Sequence, residues 1–493
     1  MASSPVDVCV VGAGPAGLTA AVAAATAGRT VALVDAGARP GGQFWRHSPA
    51  GIEADRALHH DFVKYRQLET GLARFVQTGQ IRLLTRHQVW TIERGARFTV
   101  RALKAGEYER TVDAAALVLA PGAYDRQVPL PGWELPGVYT AGGAQALLKE
   151  HGVLVGARVL VAGTGPFLLS VAAGLAQRGA RVVGVYEANT GLGWLHHRSL
   201  RAVVRNFGKL SEGIHYAGTF ARHRVWYHPR STIVAAHGDT EVRAATVARL
   251  TRHGAVVPGS ERRIEVDAIA VGWGFTPQLE LPVALGTRTE VDADGSEIVL
   301  VGDWQQSSTP GVFVAGEATG VGGAALARVE GEIAGYAAAW YVNVDHESAS
   351  FHPRSRRAER RLSWLRKRRL TLRAFAAAMH RAHPVPPSWL DQLQPDTLVC
   401  RCEEVSVERL RTAADDLGVT DARLAKLLTR TGMGWCQGRV CGYATACLVA
   451  RFAGTGYDPR GLTERPLAVP VPLGVLAHGA APAVPADESW RGE

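Results

Sequence analysis

Cysteine is scarce in this chain. There are six in 493 residues, at Cys9, Cys400, Cys402, Cys436, Cys441 and Cys447. Such a count excludes a disulfide framework, and a thiol cluster in a long chain points to metal or redox chemistry instead. No Cys-x-x-Cys occurs before residue 400, which excludes the redox dithiol that a disulfide reductase sets against its flavin. A basic leader is also missing. Asp7 is the only charge before the first apolar run, so no export signal is expected. The two runs long enough to suggest a membrane span, VCVVGAGPAGLTAAVAAATAG and VLVAGTGPFLLSVAAGLAQ, each carry an early Gly-x-Gly-Pro turn that breaks a spanning helix. A soluble, cytoplasmic protein, not integral to the membrane, is expected.

Dispersed positive charge is absent as well. The formal charge is +10, yet residues 354–373 (RSRRAERRLSWLRKRRLTLR) hold ten Arg and Lys and one Glu, or +9 of it. The plain reading is a solvated helix face, and the sharper one is a docking surface for an acidic partner or domain. No nucleic-acid partner is expected, because no stacking aromatics or binding motif accompany the charge.

What is present begins at a glycine turn. Residues 6–11 read as a strand, then Gly12-Ala13-Gly14-Pro15-Ala16-Gly17 opens an alanine-rich helix, and a second strand ends on Asp35, 23 residues after Gly12. This is the G-x-G-x-x-G fingerprint in its strand–turn–helix–strand context. Gly12 allows the turn, Gly14 lets a pyrophosphate approach the backbone, Gly17 lets helix and strand pack, and the acid accepts from a ribose.

A second copy follows. The strand 158–162 leads into Gly163-Thr164-Gly165, a helix, and a strand ending at Glu187. The third glycine position holds Leu168, which weakens the case for NAD(P)H. Either another adenine nucleotide (NAD(P)H or ATP/AMP) binds at Gly163, Gly165 and Glu187, or nothing does.

Beyond residue 341 the pattern turns polar. The basic segment has Leu365, Leu372 and Met379 at seven-residue spacing, an amphipathic connecting helix broken by HPVPPSW. Cys400-x-Cys402 and Cys436-x4-Cys441 then bracket a gap of 33 residues with two short helical patterns, 406–417 and 420–430. Glycine-flanked helix ends would gather the four thiolates there and offset their charge, which favours a [2Fe–2S] cluster. Zinc is the rival, although its knuckles favour Cys-x2-Cys on hairpins, and four free structural thiols without a metal are the remaining alternative. Cys9 and Cys447 read as buried core residues.

Several stretches resemble known families. Arg39-Pro40-Gly41-Gly42-Gln43, ALVLAPGAYDR (116–126) and GVFVAGEATGVGGAALARVEGEIAG (311–335) resemble the flavin-side motifs of two-dinucleotide-binding flavoproteins. That resemblance implies FAD contacts at Gly12, Gly14, Pro15, Ala16, Gly17, Asp35, Arg39, Gly42, Gln43, Val89, Gly122, Gly316, Glu317, Gly323 and Ala324. Glu317 stands where most of that superfamily has Asp. VCRCEEV…GMGWCQGRVCG resembles the bacterioferritin-associated-ferredoxin-like [2Fe–2S] domain, with Cys400, Cys402, Cys436 and Cys441 as ligands. Together they look like the α subunit of heteromeric amine dehydrogenases, such as opine oxidases, hydrogen cyanide synthase and hydroxyproline or proline dehydrogenases.

The implied fold class is α/β, with nested Rossmann-like lobes and a small helical C-terminal [2Fe–2S] domain. The expected limits are 1–140 and 265–345 for the FAD lobe, 141–264 for the inserted lobe and 346–395 for the linker. The cluster domain takes 396–455, and a Pro-rich tail, 456–493, is expected to lie across a partner or to be a disordered end. The resemblance also implies partners: a β flavoprotein that oxidises the amine or amino acid, a small ferredoxin-like γ subunit, and a membrane quinone pool as electron sink. No catalytic side chain stands out, as a flavin can take a hydride with little side-chain help. The alternatives are a stand-alone NAD(P)H-dependent flavoprotein reductase and a mainly structural subunit with vestigial cofactors.

Overall fold

The computed structural model describes residues 4–53, 56–59, 61–104, 109–190, 194, 208–343, 356–461, 463–465 and 467–478. Linker residues 344–355 and tail residues 479–493 lie outside that set.

The first lobe forms where the apolar runs predict strands. Strands β1 (Val6–Val11), β2 (Val31–Val34), β3 (Ile81–Leu84), β4 (His87–Arg94), β5 (Phe98–Lys104) and β6 (Glu109–Leu119) line up as β3-β2-β1-β6-β5-β4. The β3-β2-β1-β6 pairings are parallel, while β4, β5 and β6 pair antiparallel. Helix α1 (Pro15–Thr26) follows β1, and its Pro at the first turn is preset for a helix start. Helix α2 (Phe62–Gln77) covers the same side. The chain leaves this lobe through β7 (Ala123–Asp125).

The inserted lobe contains β8 (Val138–Thr140), α3 (Ala141–His151), β9 (Arg158–Gly163), α4 (Phe167–Gln177), β10 (Arg181–Glu187), α5 (Gly208–His223) and β11 (Tyr227–Pro229). A meander of β12 (Ser231–His237), β13 (Ala244–Arg249) and β14 (Arg262–Glu265) follows, and then β15 (Ala268–Gly272). The main sheet runs β11-β10-β9-β15-β8, all parallel. Both β8 and β15 lie a few residues outside the 141–264 limits expected from sequence. The chain returns through β16 (Phe275–Pro277), which pairs antiparallel with β7. A hairpin, β17 (Thr289–Val291) and β18 (Glu297–Val299), precedes β19 (Val312–Val314), which joins the first sheet beside β6.

Helix α6 (Ala324–Tyr341) packs along α1, and α7 (Arg356–Ala382) packs on α6. Its Leu362 and Leu365 are buried against Ile333. Part of the basic face meets acids, while Arg360 and Lys367 are exposed. Arg361 pairs with Glu332, Arg366 with Asp303, and both Arg369 and Arg373 with the fully buried Glu330. The acidic surface that these arginines meet is this chain's own first lobe.

The C-terminal domain has a small ladder, β20 (Leu398–Cys400) and β21 (Val405–Ser406), and three helices: α8 (Val407–Leu417), α9 (Ala422–Thr429) and α10 (Gly442–Phe452). Ser406 and Asp421 cap α8 and α9 through side-chain oxygens, and Gly418 ends α8 in the left-handed conformation. Val399, Val405, Leu410, Ala425 and Leu448 form the domain's core.

The described part of the tail departs from expectation. It straps back over the first lobe: the Ala468 amide donates to Trp90 O of β4 at 2.9 Å, and Ala468 is buried in that lobe's core. Thr463 donates to Glu297 at 2.8 Å. These contacts lie on strands distant in sequence, so the tail's own composition carries no trace of them. Among the described residues no helix is long and apolar enough to cross a membrane.

Candidate functional site

The first glycine turn is built at backbone contact. Gly12 has φ +97°, and a Cβ there would stand 2.2 Å from Ala120 O. The Gly41 amide donates to Ala13 O at 2.8 Å. A Cβ on Gly42 would lie 2.7 Å from Gly14 Cα, so the two loops interleave and only glycine fits between them. Pro15, Ala16 and Gly17 open α1, whose first turn has no acid and no side-chain cap.

Asp35 accepts from the amides of Ala13 and Gly37. Burial raises its pKa, and those two amides and the Arg46 guanidinium pull it back down. Arg39 donates to His47 O at 3.4 Å. Gln43 follows in the same loop. Val89 packs in one core with Val11 and Val34, the residues that end β1 and β2. Gly122, at φ +85°, follows β6.

The closing motif lies alongside. Glu317 accepts from the Gly322 and Gly323 amides at 2.9 and 3.0 Å, and burial raises its pKa against those bonds. Gly323 then starts α6 at Ala324 with neither an acid nor a side-chain cap in its first turn. Glu330 fixes this motif from behind, accepting from Gly316 N at 3.1 Å and Thr319 Oγ1 at 3.0 Å.

These residues fit a dinucleotide. The turn leaves backbone where side chains would block phosphate. Two uncapped helix N-termini offer N–H groups to negative charge. Trp45 Nε1 and Arg46 Nε are buried donors without a partner among the described residues, and a dinucleotide is rich in acceptor oxygens.

The second turn repeats the fold but not the opening. Leu168 is buried at the third glycine position, and the glycine it lacks is found on β15. A Cβ on Gly272 would come within 3.0 Å of Leu168 Cδ2. Glu187 is saturated by its own chain, accepting from Thr164 Oγ1 (3.0 Å), Gly165 N (2.8 Å) and Asn189 N (3.1 Å), with His383 Nδ1 at 3.4 Å. Asn189 Nδ2 also donates to Pro384 O at 2.8 Å. The segment after α7 therefore sits on this turn. Gly163, Gly165 and Glu187 are together, as expected, but closed over.

The cysteines converge. Cys436 Sγ lies 3.8 Å from Cys402 Sγ, the Gly432 amide donates to Cys400 Sγ at 3.5 Å, and the Cys441 thiol is near enough to Cys400 and Cys436 to shift both. Cys441, with the Gly432 amide and others, lowers the Cys400 thiol to about 6. The same residue, with the Val440 and Gly438 amides, lowers Cys436 to about 5. Cys441 is raised in turn, chiefly by the neighbouring Cys400 and Cys436 sulfurs, and Cys402 is raised, chiefly by burial. Among the described residues no three His, Cys, Asp or Glu side chains are assembled around a single ion. The sulfurs are gathered as near neighbours instead, and a two-iron cluster needs two sulfurs per iron. Cys9 is a core residue, its thiol pushed up to about 12 by burial. Cys447 is half-buried against Tyr443, its thiol raised to about 11, chiefly by burial.

Sequence reasoning missed the residues that join these parts: Arg46, Lys149, Glu330 and the trio Tyr124, Glu280 and Arg439. Glu330 had a signal, as an acid on the apolar face of a helix that packs on both sides. The trio had none, because its members come from three distant segments.

The sequence profile of the pyridine nucleotide-disulphide oxidoreductase family matches residues 6–340. Hydrogen cyanide synthase subunit HcnB of Pseudomonas aeruginosa is 32% identical over 95% of this chain and 98% of its own length. An opine oxidase subunit of Agrobacterium tumefaciens is 33% identical over 88% of this chain and 84% of its own. The crystal structure of L-proline dehydrogenase from P. horikoshii has the same fold, with a TM-score of 0.66 and 19% identity over 96% of this chain and 79% of that one. Membership of the family implies FAD binding and makes the protein a flavin-dependent oxidoreductase. The chain belongs to the pyridine nucleotide-disulphide oxidoreductase family, and within it to the relatives of hydrogen cyanide synthase subunit HcnB and of the opine oxidase subunit.

Proposed function

We propose that this chain is the FAD- and [2Fe–2S]-carrying α subunit of a multi-subunit dehydrogenase acting on an amine or imino acid (opine-, hydroxyproline- or glycine-like). A partner β flavoprotein oxidises the substrate, and this chain takes part in electron transfer. The observation that carries the reading is the gathering of Cys400, Cys402, Cys436 and Cys441 in one small domain packed against a flavin lobe, with Cys436 Sγ 3.8 Å from Cys402 Sγ and Cys400 and Cys441 buried in the domain's core. The relatives' names support the subunit role, since they are subunits of hydrogen cyanide synthase and opine oxidase.

FAD when bound takes up electron pairs, and an iron–sulfur cluster passes electrons singly. The protein's part is to hold both. The Gly12–Gly17 turn and the α1 N-terminus receive the pyrophosphate. Asp35 and Glu317 accept from sugar hydroxyls, and the α6 N-terminus favours negative charge on the flavin. The four cysteines ligate the irons. Cys402 is exposed and Trp435 beside Cys436 is 82% exposed, so the outer edge of the cluster is open to a partner. A membrane quinone pool and a small ferredoxin-like γ subunit complete the route.

The test is co-expression with the partner subunits, followed by metal, sulfide and flavin analysis. About two irons and two acid-labile sulfides per chain are expected, beside bound FAD. Cys436→Ser should remove the sulfide and the substrate-to-dye turnover while FAD stays bound. Zinc without sulfide, or full turnover from an iron-free complex, would sink the reading.

A further inference from the structure

We propose that strand β7 and Arg439 form a coupler that fixes the cysteine loop against the flavin lobe and sets electron exchange between flavin and cluster, with Arg439 as its positioning residue. The inference rests on the function proposed above. It starts from where the loop points its one long side chain. Between Cys436 and Cys441, Gln437 and Gly438 both have positive φ, +53° and +79°. That tight fold closes on itself through Gly442 N to Gly438 O at 2.7 Å and Arg439 N to Cys436 O at 3.2 Å. Arg439 is turned away from the sulfurs and into the first lobe.

There it meets a buried polar cluster. Arg439 Nε lies 2.6 Å from Tyr124 OH and 2.8 Å from Glu280 Oε1. Its Nη2 donates to Ala468 O of the tail strap. Its Nη1 reaches back to the carbonyl of Cys436 itself, at 3.3 Å. Glu280 also accepts from Tyr124 OH and from Arg465 Nη1, both at 3.3 Å. All are largely out of water, so one carboxylate ties three segments: β7, the cysteine loop and the tail.

The same strand grips the loop twice. Tyr124, in β7, and Arg126, one residue past its end, stand two apart, and the chain is still paired at Arg126, whose amide donates to Gly274 O at 2.9 Å, so their side chains leave the same face. Tyr124 holds Arg439, and the Arg126 guanidinium lies over the Tyr443 ring at 4.7 Å. These contacts fall two residues either side of Cys441. Arg126 is itself anchored by Asp294 at 2.8 Å. At its other end β7 begins one residue after Gly122, an expected flavin contact. The short segment 123–126 therefore runs from an expected flavin contact to both flanks of a cluster ligand. Nothing in a metal site requires this, because the cysteine domain already brings together its two thiol-bearing segments, 400–402 and 436–441. What the clamp adds is a fixed separation. Each exchange moves one electron, oxidising one cofactor by one electron and reducing the other by one.

The experiment uses the holo complex with Arg439→Gln, Arg439→Lys and Tyr124→Phe. Iron, sulfide and FAD contents and both midpoint potentials are measured first, then the rate at which the cluster follows the flavin in rapid mixing with substrate. For Arg439→Gln the expectation is unchanged cofactor content and potentials, with exchange slowed about tenfold, because small displacements cost much in rate. Amides of 123–126 and 436–441 should exchange hydrogen faster. Arg439→Lys should recover part of the loss, since it keeps the charge but not the fork. Tyr124→Phe, which removes only a hydroxyl, should slow exchange less, and it serves as the test if Arg439→Gln fails to fold. Exchange within twofold of wild type in Arg439→Gln with cofactors in place overturns the coupler alone. Loss of iron from both Arg439→Gln and Arg439→Lys overturns it too, making Arg439 part of the cluster's own scaffold. A wild-type complex without iron or sulfide overturns the proposed function and this inference together.

Discussion

Lys149 stands on α3 almost wholly out of water, donating to the Phe44 carbonyl at 3.2 Å while facing the Arg46 guanidinium. Burial first, and Arg46 second, lower its pKa to about 8. An unfolded lysine titrates about two units higher. Between those two values the unfolded chain binds the extra proton, so stability rises with pH there. Below pH 8 both states are charged, and the folded protein carries the full burial penalty, about 3 kcal/mol by this reckoning. Lys149→Met should therefore be more stable than wild type at pH 7, and the gap should close towards pH 10. Denaturant melts of both proteins at the two pH values read this directly; a gap that widens with pH refutes the assignment. Residues of this kind are illegible in sequence. Gly12, Gly17 and Asp35 were legible because local spacing alone defines their turn. Lys149 and Glu280 acquire their settings from segments a hundred or more residues away, and no period or motif marks them.

Whole elements were more legible than their contacts. The strand–turn–helix units of both lobes follow from apolar runs ended by glycine, and Ser406, Asp421 and Gly418 mark the small helices at their caps. The seven-residue spacing in α7 announced a helix, but not what its arginines meet. Burial now sorts them. Arg369 and Arg373 reach Glu330, which is fully buried, at 3.2 and 2.7 Å. Arg361 and Arg366 are each about half exposed, and their pairs lie at the rim. Removing one partner of a buried pair costs about 3–5 kcal/mol, because the other charge stays buried. An exposed pair contributes about 0–1 kcal/mol. Glu330→Ala should therefore lower the unfolding free energy by about 3–5 kcal/mol and loosen the Gly316–Thr319 turn, with weaker FAD retention. Arg361→Ala and Arg366→Ala should each cost less than about 1 kcal/mol. Equal losses from all three would mean that α7 is held by its apolar stripe and not by the Glu330 cluster.

At the scale of the molecule the nesting of one lobe inside the other leaves two nucleotide turns with different fates. The first is open at its glycines, with spare donors nearby. The second is occupied by the chain itself: His383 and Pro384 supply a ring and a carbonyl to Glu187 and Asn189, and the His383 carbonyl lies 3.3 Å from Thr164 Oγ1. A ribose entering there must displace Thr164, Gly165 and Asn189 from a carboxylate that is already buried, and it must move the connection that carries the cysteine domain. Leaving buried polar groups unpaired costs about 1–3 kcal/mol for each group, and two such groups weaken binding by about thirtyfold or more. On the function proposed above, electrons are expected to enter from the substrate side and not from a pyridine nucleotide. Mixed anaerobically with the holo protein, NADH and NADPH should leave the flavin absorbance unchanged over seconds, whereas substrate bleaches it in the assembled complex. Replacing His383 and Pro384 by glycine should raise the affinity for NADH, AMP or ATP in equilibrium dialysis without creating hydride transfer. Rapid bleaching of the wild-type flavin by either pyridine nucleotide would show that the segment at 383–384 swings aside, and the chain would then work as a reductase that feeds its own cluster.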